Sequence, residues 1–179
     1  TALDSIDLEI KTYLGRDKLI TPDDVRGTYA TLELAVKNGN WPSLESARGK
    51  FLFVLDEGEE KIRRYLTQKP SLTRASLFVN LKEGNPEAGF RIINDPVKNE
   101  TYIQELVRQG YLIRTRADSD TREARTRDYS KFEKAKSSGA QIISTDYYLP
   151  SQLFESTYQV SFEGKQFERA NPILNPGKN

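Results

Sequence analysis

The sequence predicts an α/β protein built on a parallel sheet, and three observations support this fold class. Short apolar runs, of which Phe51–Leu55 is the strongest, are typical of strands buried on both faces, as parallel strands are. Segments with apolar residues at helical spacing alternate with these runs. The runs also end abruptly in charged residues, as strands do at the carboxyl edge of open α/β sheets and barrels. This alternation of helices and buried strands predicts a parallel α/β sheet.

Apolar spacing and end signals mark the predicted helices. The first helix ends at Gly15 and has one apolar face, made of Leu3, Ile6, Ile10 and Tyr13. Residues 21–24 supply a hydroxyl cap, a proline and two acids, and they predict a second helix that runs to Gly39. Further helices are predicted around residues 44–48, 62–66, 103–107 and 124–135. Asp120 and Glu123 have the spacing of a capping box at the start of the last one.

The predicted strands point to part of a barrel. They lie at residues 51–55, 76–81, 111–115 and 142–145, and residues 90–94 form a further short apolar run. We count four strand units where a closed β/α barrel needs about eight. Residues 158–162 and 166–169 alternate around Glu163–Lys165, which predicts a β-hairpin. We therefore expect residues 1–150 to supply roughly the second half of a barrel's strands. Residues 151–179 are expected to form a C-terminal hairpin and tail packed on that barrel.

Composition excludes several classes of function. With 36% hydrophobic and 30% charged residues, the 179-residue chain is predicted to be a soluble, globular domain. The net charge of +1 gives no reason to expect nucleic acid as a partner, and no apolar run approaches the ~20 residues of a membrane span. Cysteine and histidine are absent, so these residues offer neither thiolate chemistry nor the commonest general base and metal ligand.

The start of the sequence leads us to expect that the chain is part of a longer protein. Methionine is absent, and Thr1 leads straight into the first helical pattern. We therefore expect a processed or truncated product that has lost an N-terminal piece.

Polar residues at four strand ends form the candidate site. They are Asp56 and Glu57; Asn94 and Asp95; Arg114, Arg116 and Asp118; and Asp146 and Tyr147. On a barrel all four ends would meet on one face, where such enzymes keep their chemistry. For a single run of this kind, a solvated strand end would be the simpler interpretation.

Two arginines are the most informative members of this set. Arg114 and Arg116 lie two residues apart on a strand, so their side chains point to the same side. A pair of guanidinium groups aimed into a pocket suits a phosphate or carboxylate substrate. Alternatively, the arginines form salt bridges with Asp118 or Asp146 that hold the barrel mouth together. Carboxylates such as Asp56 and Asp146 could hold calcium, or they could equally neutralise the arginines.

A run of basic residues follows the strand that carries the two arginines. It comprises Arg122, Arg125, Arg127, Lys131, Lys134 and Lys136. Such a run is usually the solvated face of a helix, and the other interpretation is a contact with anionic lipid.

Several segments together resemble the C-terminal half of the calcium-dependent phosphoinositide phospholipase C-like proteins, within the PLC-like phosphodiesterase superfamily. They are residues 19–27, 41–56, 94–96, 110–118, 138–141, 144–148 and 169–172. The most specific are Arg-Thr-Arg-Ala-Asp at 114–118 and Ser-Thr-Asp-Tyr-Tyr at 144–148. The Thr-Asp-Tyr sequence at 145–147 is also similar to the last-strand motif of glycerophosphodiester phosphodiesterases.

The resemblance implies a TIM-type barrel that hydrolyses phosphoinositide-like or glycerophosphodiester substrates. It implies calcium as electrophile and two histidines as acid and base. Those histidines, and most calcium ligands, belong to the first half of such barrels. An N-terminal half, on a missing or separate polypeptide, is therefore the expected partner, and the chain is expected to be an enzyme only when combined with it. The rival hypothesis is a non-catalytic binding or scaffold protein that kept the barrel mouth for an anionic ligand.

Roles for individual residues follow from the same resemblance. Arg114 and Arg116 are assigned to catalysis, and Asp56 to the metal. Asp118, Asp146 and Tyr147 are assigned to substrate binding. The resemblance also implies a secreted or extracytoplasmic protein. One departure is Ala170, where the family pattern leads us to expect cysteine.

Overall fold

A computed structural model describes residues 2–175 and has the predicted α/β fold with parallel strands. The chain divides into two units, with the boundary between Arg91 and Ile92. Within residues 2–175, six strands form two three-stranded sheets, in the orders β1-β2-β3 and β4-β5-β6. This number exceeds the four strand units counted from the sequence. That the strands belong to half of a barrel stays a prediction.

The first unit contains β1 to β3 and five helices. Its elements are α1 (Ala2–Leu14), β1 (Leu19–Ile20), α2 (Pro22–Arg26), α3 (Leu32–Lys37), α4 (Leu44–Ala47), β2 (Phe51–Leu55), α5 (Glu59–Gln68) and β3 (Leu77–Val79). β2 pairs in parallel with β1 on one side and with β3 on the other. All three residues of β3 are buried, so this strand lies in the core of the unit.

Two predictions for this unit need correction. The sequence interpretation missed β1, because a two-residue strand has no period to detect. The helix predicted from residue 22 to Gly39 is two helices, since Gly27 ends α2 with a φ of 54° and Thr31 caps α3 by accepting a hydrogen bond from the Leu34 amide. The predicted helix start at Thr21 is confirmed, and Asp24 accepts hydrogen bonds from both the amide and the hydroxyl of Thr21.

A buried carboxylate connects α1 to α5 and to the residue before β3. Asp7 is only 3% exposed, and its Oδ1 accepts hydrogen bonds from the Tyr65 hydroxyl, over 2.9 Å, and from the Ser76 amide. The Lys69 ammonium lies 3.3 Å from Oδ2. Burial alone would raise the pKa of Asp7, but the hydrogen bonds from Ser76 and Tyr65, with that from Lys69, outweigh it and lower the pKa. The charged form of Asp7 is therefore part of the folded structure.

The second unit holds most of the second sheet. The remaining elements are β4 (Phe90–Ile92), which crosses the boundary, α6 (Pro96–Arg108), β5 (Leu112–Arg116), α7 (Arg122–Thr126), α8 (Ser130–Ser137) and β6 (Ile142–Ser144). α6 and α8 pack against β5. Buried residues alternate along β5 with half-buried ones, as expected for a strand with two different faces.

The side chain of Gln141 extends the pairing of β5 beyond the first residue of β6. Its Oε1 accepts a hydrogen bond from the Ile113 amide over 2.9 Å, and its Nε2 donates one to the Tyr111 carbonyl over 3.0 Å. A side-chain amide thus supplies the donor and acceptor that a backbone would supply in a longer strand.

Two further predictions are wrong in the second unit. The helix predicted across residues 120–139 is two helices, because Arg127 ends α7 in the left-handed conformation with a φ of 56°. The proposed capping box does not form between Asp120 and Glu123, since the Glu123 carboxylate instead accepts a hydrogen bond from the Ser119 amide over 2.9 Å.

The predicted C-terminal hairpin is also wrong. No strand lies in the described part of this segment, residues 151–175. Only the predicted turn is present in these residues. In it, the Phe162 amide donates a hydrogen bond to the Gln166 carbonyl over 2.7 Å, around Gly164. The apolar alternation has another cause, because Tyr158 and Val160 are buried in a cluster with Phe132 and Tyr147.

The C-terminal segment is held to the turn that precedes β6. Asn171 donates a hydrogen bond through Nδ2 to the Gly139 carbonyl over 2.7 Å. Gly139 has a φ of +71°, and a Cβ at this position would lie 2.3 Å from Cγ1 of Ile173. A glycine is therefore required here by both the backbone conformation and the close approach of Ile173. The division of the chain at residue 150 stays a prediction, and residues 176–179 lie outside the described range.

Within residues 2–175, none of the helices has the length and apolar character that crossing a bilayer requires.

Candidate functional site

A polar pocket lies where β5 and β6 end. It is lined by Arg114, Arg116, Asp118, Ser144, Thr145 and Asp146. Four of the six residues assigned to the site from the sequence therefore line one pocket.

Strand geometry explains why these side chains meet. Arg114, Arg116 and Asp118 are spaced by two residues, so they project from the same face of β5. β6 runs parallel to β5 with Ser144 beside Arg116, and Asp146 follows two residues later on the same face. The pocket is thus the polar face of two adjacent parallel strands at their carboxyl ends.

The two arginines are held differently. The Arg114 guanidinium donates a hydrogen bond to Oδ1 of Asn94 over 2.7 Å. Asn94 follows β4, and the neighbouring Ile93 amide donates to the Arg114 carbonyl over 3.0 Å. The Arg116 guanidinium makes no hydrogen bond or ion pair with any residue in the range 2–175. Its donors face the pocket, so the salt-bridge interpretation does not describe Arg116.

Asp118 is the buried acid of the pocket. It is 3% exposed, and it accepts hydrogen bonds from the Thr145 hydroxyl and, over 3.2 Å, from the Asp146 amide. Burial raises the pKa of Asp118, and the charges of Asp146 and Glu123 raise it further against the effect of the two hydrogen bonds. Through these two hydrogen bonds, Asp118 holds the residues that follow β6 in place.

Tyr147 lies outside the pocket lining. Its side chain is buried, its hydroxyl donates to the Asp120 carbonyl over 3.0 Å, and its ring lies edge-on to Tyr158 at 5.6 Å. Burial, with the charges of Asp118 and Asp146, raises the pKa of its phenol. A direct role of Tyr147 in substrate binding stays a prediction.

The other polar strand ends have local partners or remain exposed. Asp95 caps α6 by accepting a hydrogen bond from the Lys98 amide over 3.2 Å. Glu57 pairs with Lys61 over 2.8 Å. Asp56 is exposed directly after β2 in the first unit, and its role as a metal ligand stays a prediction.

Sequence reasoning gave no role to three residues that shape the site. Ser144 and Thr145 line the pocket, and Asn94 orients Arg114. The pairing of β5 with β6 was the signal for Ser144, because a residue two before Asp146 shares its face. For Asn94 the signal was its position at a strand end, but its hydrogen-bond partner depends on how β4 and β5 are aligned.

The described residues do not form a calcium site by themselves. Calcium takes six to eight oxygen ligands, several of them carboxylates. The pocket offers two carboxylates, and the range 2–175 contains no group of three or more acids placed to hold a metal. Asp118 is also a poor ligand, because both of its oxygens already accept hydrogen bonds and its pKa is raised.

The sequence shows the class of protein to which the chain belongs. The sequence model of the Ca²⁺-dependent phosphoinositide phospholipase C family matches residues 1–172, and the chain belongs to this family. The resemblance seen in the sequence is thus confirmed, as is the expectation that the family depends on calcium.

A solved structure gives a particular relative. The chain is similar to a Ca²⁺-dependent phosphatidylinositol-specific phospholipase C from Streptomyces antibioticus, with a TM-score of 0.55 and 19% sequence identity. The match covers 80% of this chain and 57% of that chain, which is less than two thirds of the relative. At this identity the likeness shows the fold alone. No curated protein matches the chain.

Proposed function

We propose that this chain provides the phosphate and head-group side of the active site of a phospholipase C-type phosphodiesterase. The observation that carries the proposal is the pair Arg114 and Arg116, which project from one strand face into a small polar pocket. Guanidinium donors in a fork suit the two non-bridging oxygens of a phosphodiester. The phosphoinositide-like substrate class is taken from the family. The glycerophosphodiester alternative is taken from the resemblance of residues 145–147 to the motif of glycerophosphodiester phosphodiesterases.

Each pocket residue has a chemical task in this proposal. Arg116 donates to a non-bridging phosphate oxygen, and Arg114 does so while Asn94 fixes its orientation. These donors stabilise the charge that grows on the phosphate oxygens as the attacking hydroxyl approaches. Asp146, exposed at the pocket mouth, accepts hydrogen bonds from head-group hydroxyls. Asp118 keeps Thr145 and the Asp146 amide in position.

Proton transfer must come from outside these residues in this proposal. The 179 residues contain no histidine, so the acid and base expected for the family are supplied by a further segment of the same polypeptide or by a separate one. The same source would complete a calcium site, to which Asp56 is the proposed contribution from this chain. Calcium would supply electrophilic stabilisation of the phosphate when bound. A secreted or extracytoplasmic location is part of the same proposal.

A second candidate function is a non-catalytic protein that binds an anionic ligand. Two observations favour it: the chain lacks histidine, and the described residues lack a cluster of three acids. The two functions share the arginine pocket and differ in turnover.

The arginines can be tested by titrating the protein with inositol 1-phosphate in a calorimeter. Arg116→Ala should weaken binding roughly 10- to 100-fold, because a hydrogen bond to a charged group contributes about 1.5–3 kcal/mol. Arg116→Lys should restore little, since an ammonium group cannot reproduce the planar fork. Arg108→Lys, at the exposed end of α6, is the matched control and should bind like the wild type.

A measurement of turnover distinguishes the phosphodiesterase from the non-catalytic binding protein. In the protein that carries these residues together with its histidine-bearing segment, Arg116→Lys should lower turnover of a phosphodiester by ~10²–10³ per folded molecule. Full turnover with both Arg114→Lys and Arg116→Lys would reject the proposed role of the arginines. Tight phosphate binding without turnover in the complete protein would favour the non-catalytic function.

A further inference from the structure

The backbone pairing of β6 with β5 does not extend to Asp146. β6 ends at Ser144, whose carbonyl accepts a hydrogen bond from the Ala117 amide over 2.9 Å. Two residues later, the Asp146 amide donates to a side chain instead, over 3.2 Å to Oδ1 of Asp118. The position of Asp146 in the pocket is therefore set by side-chain contacts and not by strand pairing.

The Thr145 hydroxyl is the second of these contacts. It donates a hydrogen bond to Oδ2 of Asp118 and accepts one from the Tyr147 amide over 2.9 Å. A hydroxyl can do both because it has one hydrogen and two acceptor lone pairs. Asp146 lies between Thr145 and Tyr147 in the chain, so the hydrogen bond between these two residues closes a tight turn around it. The backbone of Asp146 is thus held by Asp118 and by this turn.

Tyr147 provides a fixed support for the turn. Its side chain is buried, and its hydroxyl donates to the Asp120 carbonyl over 3.0 Å. Its carbonyl accepts a hydrogen bond from the Val160 amide over 2.8 Å. Because these contacts do not involve Thr145, Tyr147 should stay in place when the Thr145 hydroxyl is removed. The loss would then fall on Asp146, the residue between them.

Asp146 presents the exposed carboxylate of the pocket. An exposed residue beyond the end of a strand has considerable conformational freedom unless its neighbours restrict it. A hydrogen-bond acceptor that is already in position binds a ligand hydroxyl more tightly, because less freedom is lost on binding. The turn closed by Thr145 restricts the backbone of Asp146 in this way.

We infer that Thr145 is a positioning residue, which places Asp146 to accept hydrogen bonds from the hydroxyl groups of a phosphorylated polyol. Thr145 acts through Asp146 rather than on the phosphate, because its own hydroxyl hydrogen is donated to Asp118. Arg114 and Arg116 bind the phosphate, whereas Asp146 in its fixed position distinguishes a polyol phosphate from a phosphate that lacks hydroxyl groups. This inference rests on the proposed function of the pocket.

The test compares two ligands of the whole protein by calorimetry. Inositol 1-phosphate and methyl phosphate are both phosphate monoesters, but only the first has hydroxyl groups. Thr145→Val has a similar shape and no hydroxyl, and it should weaken inositol 1-phosphate binding about 5- to 10-fold while leaving methyl phosphate binding unchanged. Thr145→Ser keeps the hydroxyl and should bind both ligands like the wild type. Thr157→Val, at an exposed threonine of the same unit, is the matched control.

A double-mutant cycle determines whether Thr145 acts through Asp146. Asp146→Ala removes the proposed acceptor, so Thr145→Val in that background should cause almost no further loss of inositol 1-phosphate affinity. Losses that add would show that the two residues act independently, and they would overturn the inference. Equal weakening of both ligands by Thr145→Val would assign the residue a purely structural role and would overturn the inference as well.

Failure of the proposed function would give a different result. The wild type would then bind neither ligand, or Arg116→Ala would bind both as tightly as the wild type, and the inference would fall together with the proposed function. Binding that depends on Arg116 but is equal in Thr145→Val and the wild type would reject the positioning role alone. Urea unfolding of each variant ensures that the comparison is made between folded proteins.

Discussion

The side-chain oxygen of Asn94 accepts a hydrogen bond from the Arg114 guanidinium over 2.7 Å. Asn94 follows β4 and Arg114 lies on β5, so a residue at the end of one strand orients an arginine of another. An arginine held in this way loses less rotamer freedom when a phosphate binds, which favours binding.

The first prediction concerns this contact. Asn94→Ala should weaken inositol 1-phosphate binding by about 5- to 10-fold, because it removes roughly 1 kcal/mol of the net hydrogen bonding that orients Arg114. Asn94→Asp should weaken binding further, since a carboxylate would compete with phosphate for the guanidinium. Calorimetry measures both, and Asn85→Ala, on an exposed loop, is the control. Unchanged binding in Asn94→Ala would show that Arg114 needs no such support.

The second prediction follows from the raised pKa of Asp118. A carboxyl whose pKa is higher in the folded than in the unfolded protein stabilises the fold most at low pH. That contribution is lost as pH rises from the ordinary value of 3.8 through the folded pKa. Asp118→Asn keeps an acceptor for the Asp146 amide and can donate to the Thr145 hydroxyl. Its free energy of unfolding should therefore rise relative to the wild type as pH increases from the ordinary value of 3.8 through the folded pKa of Asp118.

Urea unfolding across this pH range gives the comparison. A constant difference between Asp118→Asn and the wild type would mean that the acid has the same pKa in both states. Glu168→Gln, at an exposed acid of the same unit, is the control for a general loss of negative charge.

The third prediction concerns Asp7, whose pKa is shifted in the opposite direction to that of Asp118. The pKa of Asp7 is lowered in the folded protein, so its contribution to stability is complete above the ordinary value of 3.8 and is lost as pH falls through the folded pKa. Asp7→Asn should cost about 1.5–3 kcal/mol of unfolding free energy at neutral pH, since it replaces a charged acceptor of two hydrogen bonds. The cost should shrink on acidification. Tyr65→Phe removes one of the donors and should itself destabilise the protein, by less than Asp7→Asn. A pH-independent cost of Asp7→Asn would contradict the charged state assigned to Asp7.

The fourth prediction concerns the anchored C-terminal segment. Gly139→Ala should destabilise the protein by roughly 2–4 kcal/mol, the sum of left-handed backbone strain and overpacking against Ile173. Gly49→Ala has a nearly equal φ of +73° with no atom within 4 Å, so it reports the strain alone, about 1–2 kcal/mol. The double variant Gly139→Ala/Ile173→Ala should recover part of the excess. Chemical denaturation measures all three, and equal costs at the two glycines would show that Ile173 does not press on Gly139.

Local patterns predicted much of the fold and part of the site. Period-two alternation and the parallel pairing of β5 with β6 placed Arg114, Arg116, Asp118 and Asp146 on one face, and these four residues line one pocket. Their roles remain predictions, because strand alternation determines the side to which a side chain points and not the chemical role it has. Tyr147 follows the same motif but points away, since an odd step along the chain turns its ring toward Tyr158.

The errors came from tertiary packing. The alternation at Tyr158 and Val160 indicated a strand, but it arises because one side of an extended segment packs on Phe132 and Tyr147. The helical spacing of apolar residues continues across Arg127, although the backbone there is left-handed and ends α7. The spacing of apolar residues gives no information about the backbone conformation of a single residue. Asp95 was placed with the site because it follows a strand, yet an acid just before a proline is equally suited to cap a helix.

The amide of Gln141 has a consequence for how the pocket tolerates change. If β6 slipped along β5 by two residues, the smallest shift that keeps each side chain on its own face, Asp146 would move by about 7 Å relative to Arg116. Such a slip would break both hydrogen bonds that Gln141 makes with the residues flanking the start of β5. The alignment of charges in the pocket is thus secured by an uncharged side chain at the opposite end of the strand, and insertions in the turn before β6 should be tolerated only where they leave Gln141 in place.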